Sequence, residues 1–100
     1  MATNTGVIPG YNVVNIVAAA PTTTVVKTGQ GILHTITFNG PTATAVVTVY
    51  DNTAASGEKI ATITIPASPM PVTLTYDVEF SVGLTITTAT AASDITVSYV

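Results

Sequence analysis

Few side chains in this sequence have the chemistry needed for catalysis or metal binding. His34 is the only histidine, and the chain has no cysteine. A zinc site normally takes three or four protein ligands, so this histidine cannot form one with the residues available. His34 alternates with Ile32, Ile36 and Phe38 in an extended segment, which places it on a face that should be buried. We therefore expect a hydrogen-bonded core or interface histidine.

Asp77 and Glu79 are the second candidate group. They lie two residues apart in a predicted strand, so both side chains fall on the same face, where they could act as a carboxylate pair or bind calcium. Calcium usually takes six or more oxygen ligands, which is more than two carboxylates supply. The simpler interpretation is that both residues keep the strand soluble or protect a sheet edge.

Asp51, Asn52 and Glu58 surround a predicted loop. Their spacing matches no calcium-binding loop, and an Asx turn that closes a hairpin accounts for them better. None of the serines lies in a nucleophile elbow, and no glycine-rich phosphate loop precedes a helix pattern. We therefore predict that the chain is not an enzyme, has no catalytic residues and needs no metal or other cofactor.

The strand that carries Asp77 and Glu79 shows the clearest pattern in the chain. Five apolar residues from Val72 to Phe80 alternate with Thr73, Thr75 and the two carboxylates. This period of two is typical of a strand with one buried and one solvated face.

Similar alternation and regularly spaced turn residues predict about eight short strands and no amphipathic helix. The predicted strands are 11–19, 22–28, a third from about 32 to 39, 44–51, 58–65, 72–80, a seventh from about 84 to 88, and 94–100. This pattern is typical of an antiparallel β-sandwich or barrel. We predict an all-β sandwich with a jelly-roll or related Greek-key topology. An immunoglobulin-like sandwich is the alternative, although its Cys and Trp hallmarks are absent.

The predicted domain organisation is an N-terminal arm, residues 1–11, followed by a single β-sandwich domain, residues 12–100. The arm is small, polar and interrupted by Gly6, Pro9 and Gly10. A frayed terminus is the simpler interpretation of such a segment. The alternative is an arm that orders against a neighbouring subunit, for which Val7, Ile8 and Tyr11 supply apolar contacts, and we predict that these three residues form an interface.

The fourth predicted strand, residues 44–51, is apolar on both faces. One face should pack in the core, and the other should be covered by a loop or by another subunit. Val46, Thr48 and Tyr50 share one of these faces, and we predict that they form an interface.

Charge is scarce in this sequence. Of its 100 residues, 7% are charged and 47% are hydrophobic, and the mean hydropathy is +0.58, whereas a typical soluble domain is about 25% charged. We expect threonine and serine hydroxyls, together with partner subunits, to cover the surface.

The net charge is −3 with two lysines and no arginine, which excludes the basic footprint of nucleic-acid binding. No run of about 18 apolar residues predicts a membrane span, and no charged start of a secretory signal is present. The absence of cysteine fits an intracellular assembly site.

Several short strings carry a resemblance to a known class of protein. They are the segments Val49–Gly57, Lys59–Ala61, Tyr76–Thr85, Gly31–Ile36 and Asp94–Tyr99. Together these strings resemble the small all-β virion proteins of tailed bacteriophages. The likeness runs from about residue 26 to residue 100 and does not include the N-terminal arm.

The resemblance implies a function. It implies a head decoration, or cement, protein that is made in the host cytoplasm, binds the major capsid protein on the outer capsid surface and stabilises the shell. Such proteins form homo-oligomers, with a trimer favoured here and a dimer as the alternative. Similar modules also occur in tail, neck and fibre proteins, so a carbohydrate- or host-binding module is the rival function. Tyr11 and Tyr50 are the aromatic residues left for such binding, because the chain has no tryptophan.

Overall fold

The computed structural model describes residues 11–18, 21–91 and 93–100. Eight strands cover most of these residues: β1 (Asn12–Ala18), β2 (Thr22–Thr28), β3 (Gly31–Gly40), β4 (Val46–Asp51), β5 (Glu58–Thr64), β6 (Val72–Phe80), β7 (Gly83–Ala89) and β8 (Ser93–Tyr99). The eight strands predicted from the sequence are confirmed. The fourth begins at Val46 rather than residue 44, because Thr44 has a φ of 65° and lies in a turn.

The strands form two four-stranded antiparallel sheets. Sheet A has the order β1-β8-β3-β6, and sheet B has the order β2-β7-β4-β5. Consecutive strands alternate between the sheets except at the β4–β5 hairpin, which is the strand order of a jelly roll. The predicted all-β sandwich is confirmed, and its strand order differs from the immunoglobulin alternative, which groups other strands in each sheet.

The core lies between the two sheets, where the inward side chains of both meet. The hydrophobic residues buried there are Ile16, Leu33, Ile36, Phe38, Ala45, Val47, Val49, Ile65, Phe80, Leu84, Ile86, Ile95, Val97 and Tyr99. Alternation predicts most of these residues, because successive side chains on a strand point to opposite faces. Within the described residues there is no helix of the length and hydropathy needed to cross a membrane.

One part of β3 departs from simple alternation. Its register shifts against both neighbours between Leu33 and Thr35. Leu33 is buried and Ile32 is 39% exposed, whereas Ile36 and Phe38 are fully buried. The prediction that Ile32 and His34 share the buried face of Ile36 is therefore wrong. A β-bulge adds a residue, so the inward face changes from odd to even positions.

The loops lie at two ends of the sandwich. The β2–β3, β4–β5 and β6–β7 turns lie at one end, together with the start of β1 and the end of β8. We call this the arm end, because Tyr11 enters the fold there. The backbone bond from Gly29 N to Val82 O, 2.9 Å long, joins two of its turns. The β3–β4 and β5–β6 loops lie at the opposite end.

The change of the inward face of β3 from odd to even positions can be tested with one substitution on each side of the bulge. Ile36→Ala should lower the free energy of unfolding by about 2–5 kcal/mol, because it leaves a cavity in the core. Ile32→Ala, the matched control on the same strand, should cost less than about 1 kcal/mol because its side chain is partly solvated. Chemical denaturation of both variants measures the difference, and equal losses would contradict the bulge.

Candidate interaction surface

His34 and Asp77 form a pair at the bulge. The His34 Nδ1 atom lies 2.5 Å from Asp77 Oδ1, and the two side chains are 31% and 57% exposed. The register shift of β3 turns His34 outward, and Asp77 lies opposite it in a backbone conformation with a φ of 48°. An aspartate tolerates this left-handed region better than most residues. The pair therefore lies on the outer face of sheet A, so of the two expected places for His34, the core and an interface, the core is wrong.

Tyr11 packs on the same histidine. The Tyr11 and His34 rings are stacked, with centroids 4.1 Å apart and planes 8° from parallel. Tyr11 is nevertheless 43% exposed. Asp77, His34 and Tyr11 thus form a continuous group, which we call the Tyr11 anchor. It fixes the point at which residues 1–10 join the sandwich.

A cleft opens beside the Tyr11 anchor at the arm end. Its volume is about 340 Å³, and it is lined by Lys27, Gln30, Gly31, Ile32, Glu79, Phe80, Ser81 and Val100. Of its lining residues, Ile32 and Val100 keep more than a third of their surface in solvent. The cleft therefore combines exposed apolar side chains with one cationic and one anionic side chain.

Asp51 holds two turns of the arm end together. Its carboxylate accepts hydrogen bonds from the backbone N–H groups of Ser81, Val82 and Gly83, at distances between 2.9 and 3.4 Å. The bonds from Val82 and Ser81 hold the pKa of Asp51 below its ordinary value of 3.8. Asn52 closes the β4–β5 loop on itself, with its Nδ2 donating to Ser56 O at 2.8 Å. Asn52 thus closes the loop by a bond other than that of the predicted Asx turn, while Asp51 connects the loop to a second turn.

Gly83 makes this junction possible. A Cβ atom at this position would lie 2.8 Å from both Lys27 O and Thr53 Cγ2, and 3.0 Å from Asn52 O. Real Cβ contacts are essentially never that short, so the β4–β5 loop can approach β7 this closely only over a glycine.

The predicted interface on β4 lies on the outer face of sheet B. Val46, Thr48 and Tyr50 are all half-buried and point away from the core. Thr48 belongs to a row of four threonines that lie side by side across the sheet, Thr23, Thr87, Thr48 and Thr62. Tyr11 belongs to the anchor described above. Val7 and Ile8 lie outside the described residues. The assignment of these six residues to an interface stays a prediction.

The outer face of sheet A carries a polar network. Asp94 Oδ1 accepts hydrogen bonds from Asn15 Nδ2 at 2.8 Å and Asn39 Nδ2 at 3.2 Å. Asn39 also donates to Thr96 Oγ1 at 2.9 Å. The side chains of three strands are therefore tied together across the sheet surface.

The acidic residues do not assemble into a metal site in the part of the chain that the structure describes. No group of three or more His, Asp or Glu side chains lies close enough there to hold an ion. Asp77 and Glu79 are both exposed on the face that the sequence predicted. Asp77, however, is paired with His34.

Sequence reasoning missed the pairing of His34 with Asp77. The two residues are 43 positions apart, and they meet only because a bulge turns His34 outward. The sequence contained one signal. With a single break in the alternation, the buried face consists of Leu33, Ile36 and Phe38, which are all apolar, whereas unbroken alternation includes Ile32 and the polar His34. A lone polar histidine at that break is the residue expected to leave the core.

Comparison with known proteins gives no family for this chain. No protein-family model matches it, and a search of curated proteins and a search of solved structures each returned no significant match.

The Tyr11 anchor makes a spectroscopic prediction. A stacked phenol ring shifts the imidazole protons of His34 upfield through its ring current, so Tyr11→Ala should move these NMR signals downfield. Tyr11→Phe, the matched control, keeps the ring and should keep the shift. The lost stacking should also cost about 0.5–1.5 kcal/mol of stability. Unchanged His34 signals in Tyr11→Ala would contradict the stack.

The Asp51 junction makes a prediction about acid stability. Asp51→Ala should lower the free energy of unfolding at pH 7 by about 1–2 kcal/mol, because three backbone donors lose a charged acceptor that is still partly solvated. The folded pKa is lowered, so this contribution is complete above pH 3.8 and is lost as the pH falls through the folded value.

Denaturation of the wild type and Asp51→Ala from pH 7 to pH 2 therefore measures a difference that shrinks with acid. Glu58→Ala is the control, since Glu58 is exposed and lies on the neighbouring strand. It should change stability by less than about 0.5 kcal/mol. A pH-independent difference for Asp51→Ala would show that the carboxylate charge has no part in the junction.

Proposed function

We propose that this chain is a structural virion protein, a head decoration protein of a tailed bacteriophage that acts through protein–protein contacts on the outer capsid surface. The resemblance of the strings quoted above supports the proposal, and so does the jelly-roll strand order, an architecture that viral capsid domains use. Its partners are the major capsid protein and further copies of itself.

The observation that carries the proposal is the combination of the Tyr11 anchor and the adjoining cleft. The stack on His34 fixes the start of the arm beside exposed Ile32 and Val100. An arm held at one point and a cleft with both polar and apolar side chains next to it offer a partner two contacts on one end of the sandwich. A stable interface needs about 800 Å² per partner. We therefore expect the arm and the cleft to belong to one interface and to supply this area together.

The stabilisation of the shell by a decoration protein follows from mass action. A subunit that binds only the expanded shell stabilises that shell by RT ln(1 + [L]/Kd) at each site, which is about 2.7 kcal/mol when the free concentration is 100 times Kd. Such a function needs surface complementarity alone, and no reacting group takes part.

A second candidate function is a carbohydrate- or host-binding module on a tail, neck or fibre. The outer face of sheet A favours it, because the amides of Asn15 and Asn39, the Asp94 carboxylate and the Thr96 hydroxyl lie there together. Lectins also use jelly rolls. Tyr11 is the exposed aromatic residue at the edge of this face, whereas Tyr99 is buried. A glycan array probed with the purified chain separates the two functions.

The decoration function predicts selective binding to shells. The purified chain should bind expanded capsids that lack it and should bind unexpanded capsids less tightly, as measured by co-sedimentation. Deleting residues 1–10 should weaken binding by at least about tenfold, the loss of about 1.4 kcal/mol of contact. Ile32→Glu should weaken it similarly, because it places a charge in the apolar rim of the cleft.

Ala67→Glu is the matched control, since it places the same charge on an exposed residue of the β5–β6 loop, at the opposite end of the sandwich from the cleft. It should bind like the wild type. Equal binding by the wild type and the deletion variant would remove the arm from the interface. Failure of the wild type to bind any capsid would refute the decoration function.

A further inference from the structure

The four edge strands of the sandwich differ in how they are protected. In three of them a charged side chain accompanies a break in the register of the ladder: Lys27 in β2, Glu58 and Lys59 in β5, and Asp77 and Glu79 in β6. Charges and bulges are the devices by which proteins prevent a foreign strand from adding to an edge. These three edges are therefore closed to strand addition.

β1 has neither device. Its pairing with β8 runs without a break from Asn12 to Ala18, and the strand has no charged residue and no proline. Val17 is 66% exposed. A regular, uncharged edge with exposed apolar side chains is the kind to which another strand adds.

The direction of the free backbone groups on β1 follows from its neighbours. Ile32 and Val100 exchange both backbone hydrogen bonds, at 3.1 and 2.9 Å, so Val100 bonds toward β3. Bonding direction alternates along a strand, so Tyr99 bonds toward β1, where it pairs with Asn12. The same alternation points the backbone N–H and C=O groups of Val13, Asn15 and Val17 toward the open edge.

The sequence of this edge reads almost the same in both directions. Around Asn15 the residues are Val13-Val14-Asn15-Ile16-Val17. An antiparallel copy centred on Asn15 places Val13 opposite Val17 and Val14 opposite Ile16, so β-branched residues meet at each of these positions and the two Asn15 residues meet at the centre. Such cross-strand pairs are favourable, and no like charges meet.

We propose that β1 pairs with β1 of a second copy of this chain, antiparallel and centred on Asn15. The two copies of sheet A then form one continuous eight-stranded sheet around a two-fold axis, which is a self-complementary interface. Val13, Asn15 and Val17 supply about six backbone hydrogen bonds. The proposal rests on the sheet edge and does not depend on the proposed function. It selects a dimer over the trimer that the resemblance implies.

The Asn15 side chain leaves room for the partner. Its Nδ2 atom donates to Asp94 Oδ1 at 2.8 Å and to Ile95 O at 2.9 Å. Both acceptors belong to β8, so the amide is held toward its own sheet and away from the open edge. The strand is about 24 Å long, so its edge alone buries less than a standard interface of about 800 Å² per partner. The dimer is therefore reversible, and its dissociation constant lies in about the micromolar range.

A charge-swap experiment on the full chain tests the pairing and its register. Sedimentation velocity from about 1 µM to 1 mM should show a concentration-dependent dimer in the wild type. Val17→Glu and Val13→Lys should each weaken dimerisation by at least about tenfold, because each places a charge opposite valine twice per dimer. Both positions lie on the outer face of the strand, and circular dichroism confirms that each variant is folded.

The double variant Val13→Lys/Val17→Glu should restore dimerisation to within about threefold of the wild type. The two introduced charges face each other only across the proposed register, since they lie far apart within one strand. Thr48→Glu, on the β4 face, is the control and should dimerise normally.

Three results would overturn the proposal. A wild type that stays monomeric over the whole range shows that the edge is not used. A double variant as weak as the single ones excludes this register. Loss of the oligomer in Thr48→Glu, with Val17→Glu unaffected, assigns self-association to the β4 face. None of these measurements involves a capsid, so their outcome is separate from that of the proposed function.

Discussion

The register shift at His34 is the constraint on which the rest of this sandwich depends. Leu33 pairs with Tyr99 of β8 and with Val78 of β6, and Ile36 pairs with Val97 and Leu74 of the same strands. From the first set of pairs to the second, β8 therefore moves along by two residues, β3 by three and β6 by four. Extra residues added progressively toward one edge bend and twist a sheet. The same shift keeps Leu33, Ile36 and Phe38 in the core and turns His34 outward. Without the shift, β3 could bury either its odd-numbered or its even-numbered apolar residues, but not residues of both sets.

Nearly every charged group in the chain has a structural role. Five of the seven charged residues lie on edge strands: Lys27, Glu58, Lys59, Asp77 and Glu79. Asp51 joins two turns, and Asp94 is the centre of the polar network on sheet A. Charge here is used to close edges and to fix loops. The surfaces without charge include β1 and the threonine row of sheet B.

The sequence predicts the strands well and their local irregularities poorly. Alternation identifies β6 and β8 because their inward positions keep a period of two along the whole strand. It fails at Ile32 and His34, because a bulge is a property of the paired strands and leaves little trace in one of them. The Tyr11 anchor was out of reach for the same reason: Asp77 and His34 are distant in sequence, and only the sheet register brings them together. Loops are predicted less well than strands and better than bulges. The residue types around Asp51 predict a turn, but the bonds from the Asp51 carboxylate to the β6–β7 backbone depend on how the two turns pack together.

The threonine row across sheet B has a consequence for the surroundings in which this protein can work. A surface wetted by carboxylates and ammonium groups changes with its medium, because salt screens the charges and acid neutralises them. Hydroxyl groups neither titrate in the biological range nor attract a counterion cloud. The hydration of this face therefore stays the same when the salt concentration or the pH of the medium changes, so any contact made through it depends on shape more than on the medium.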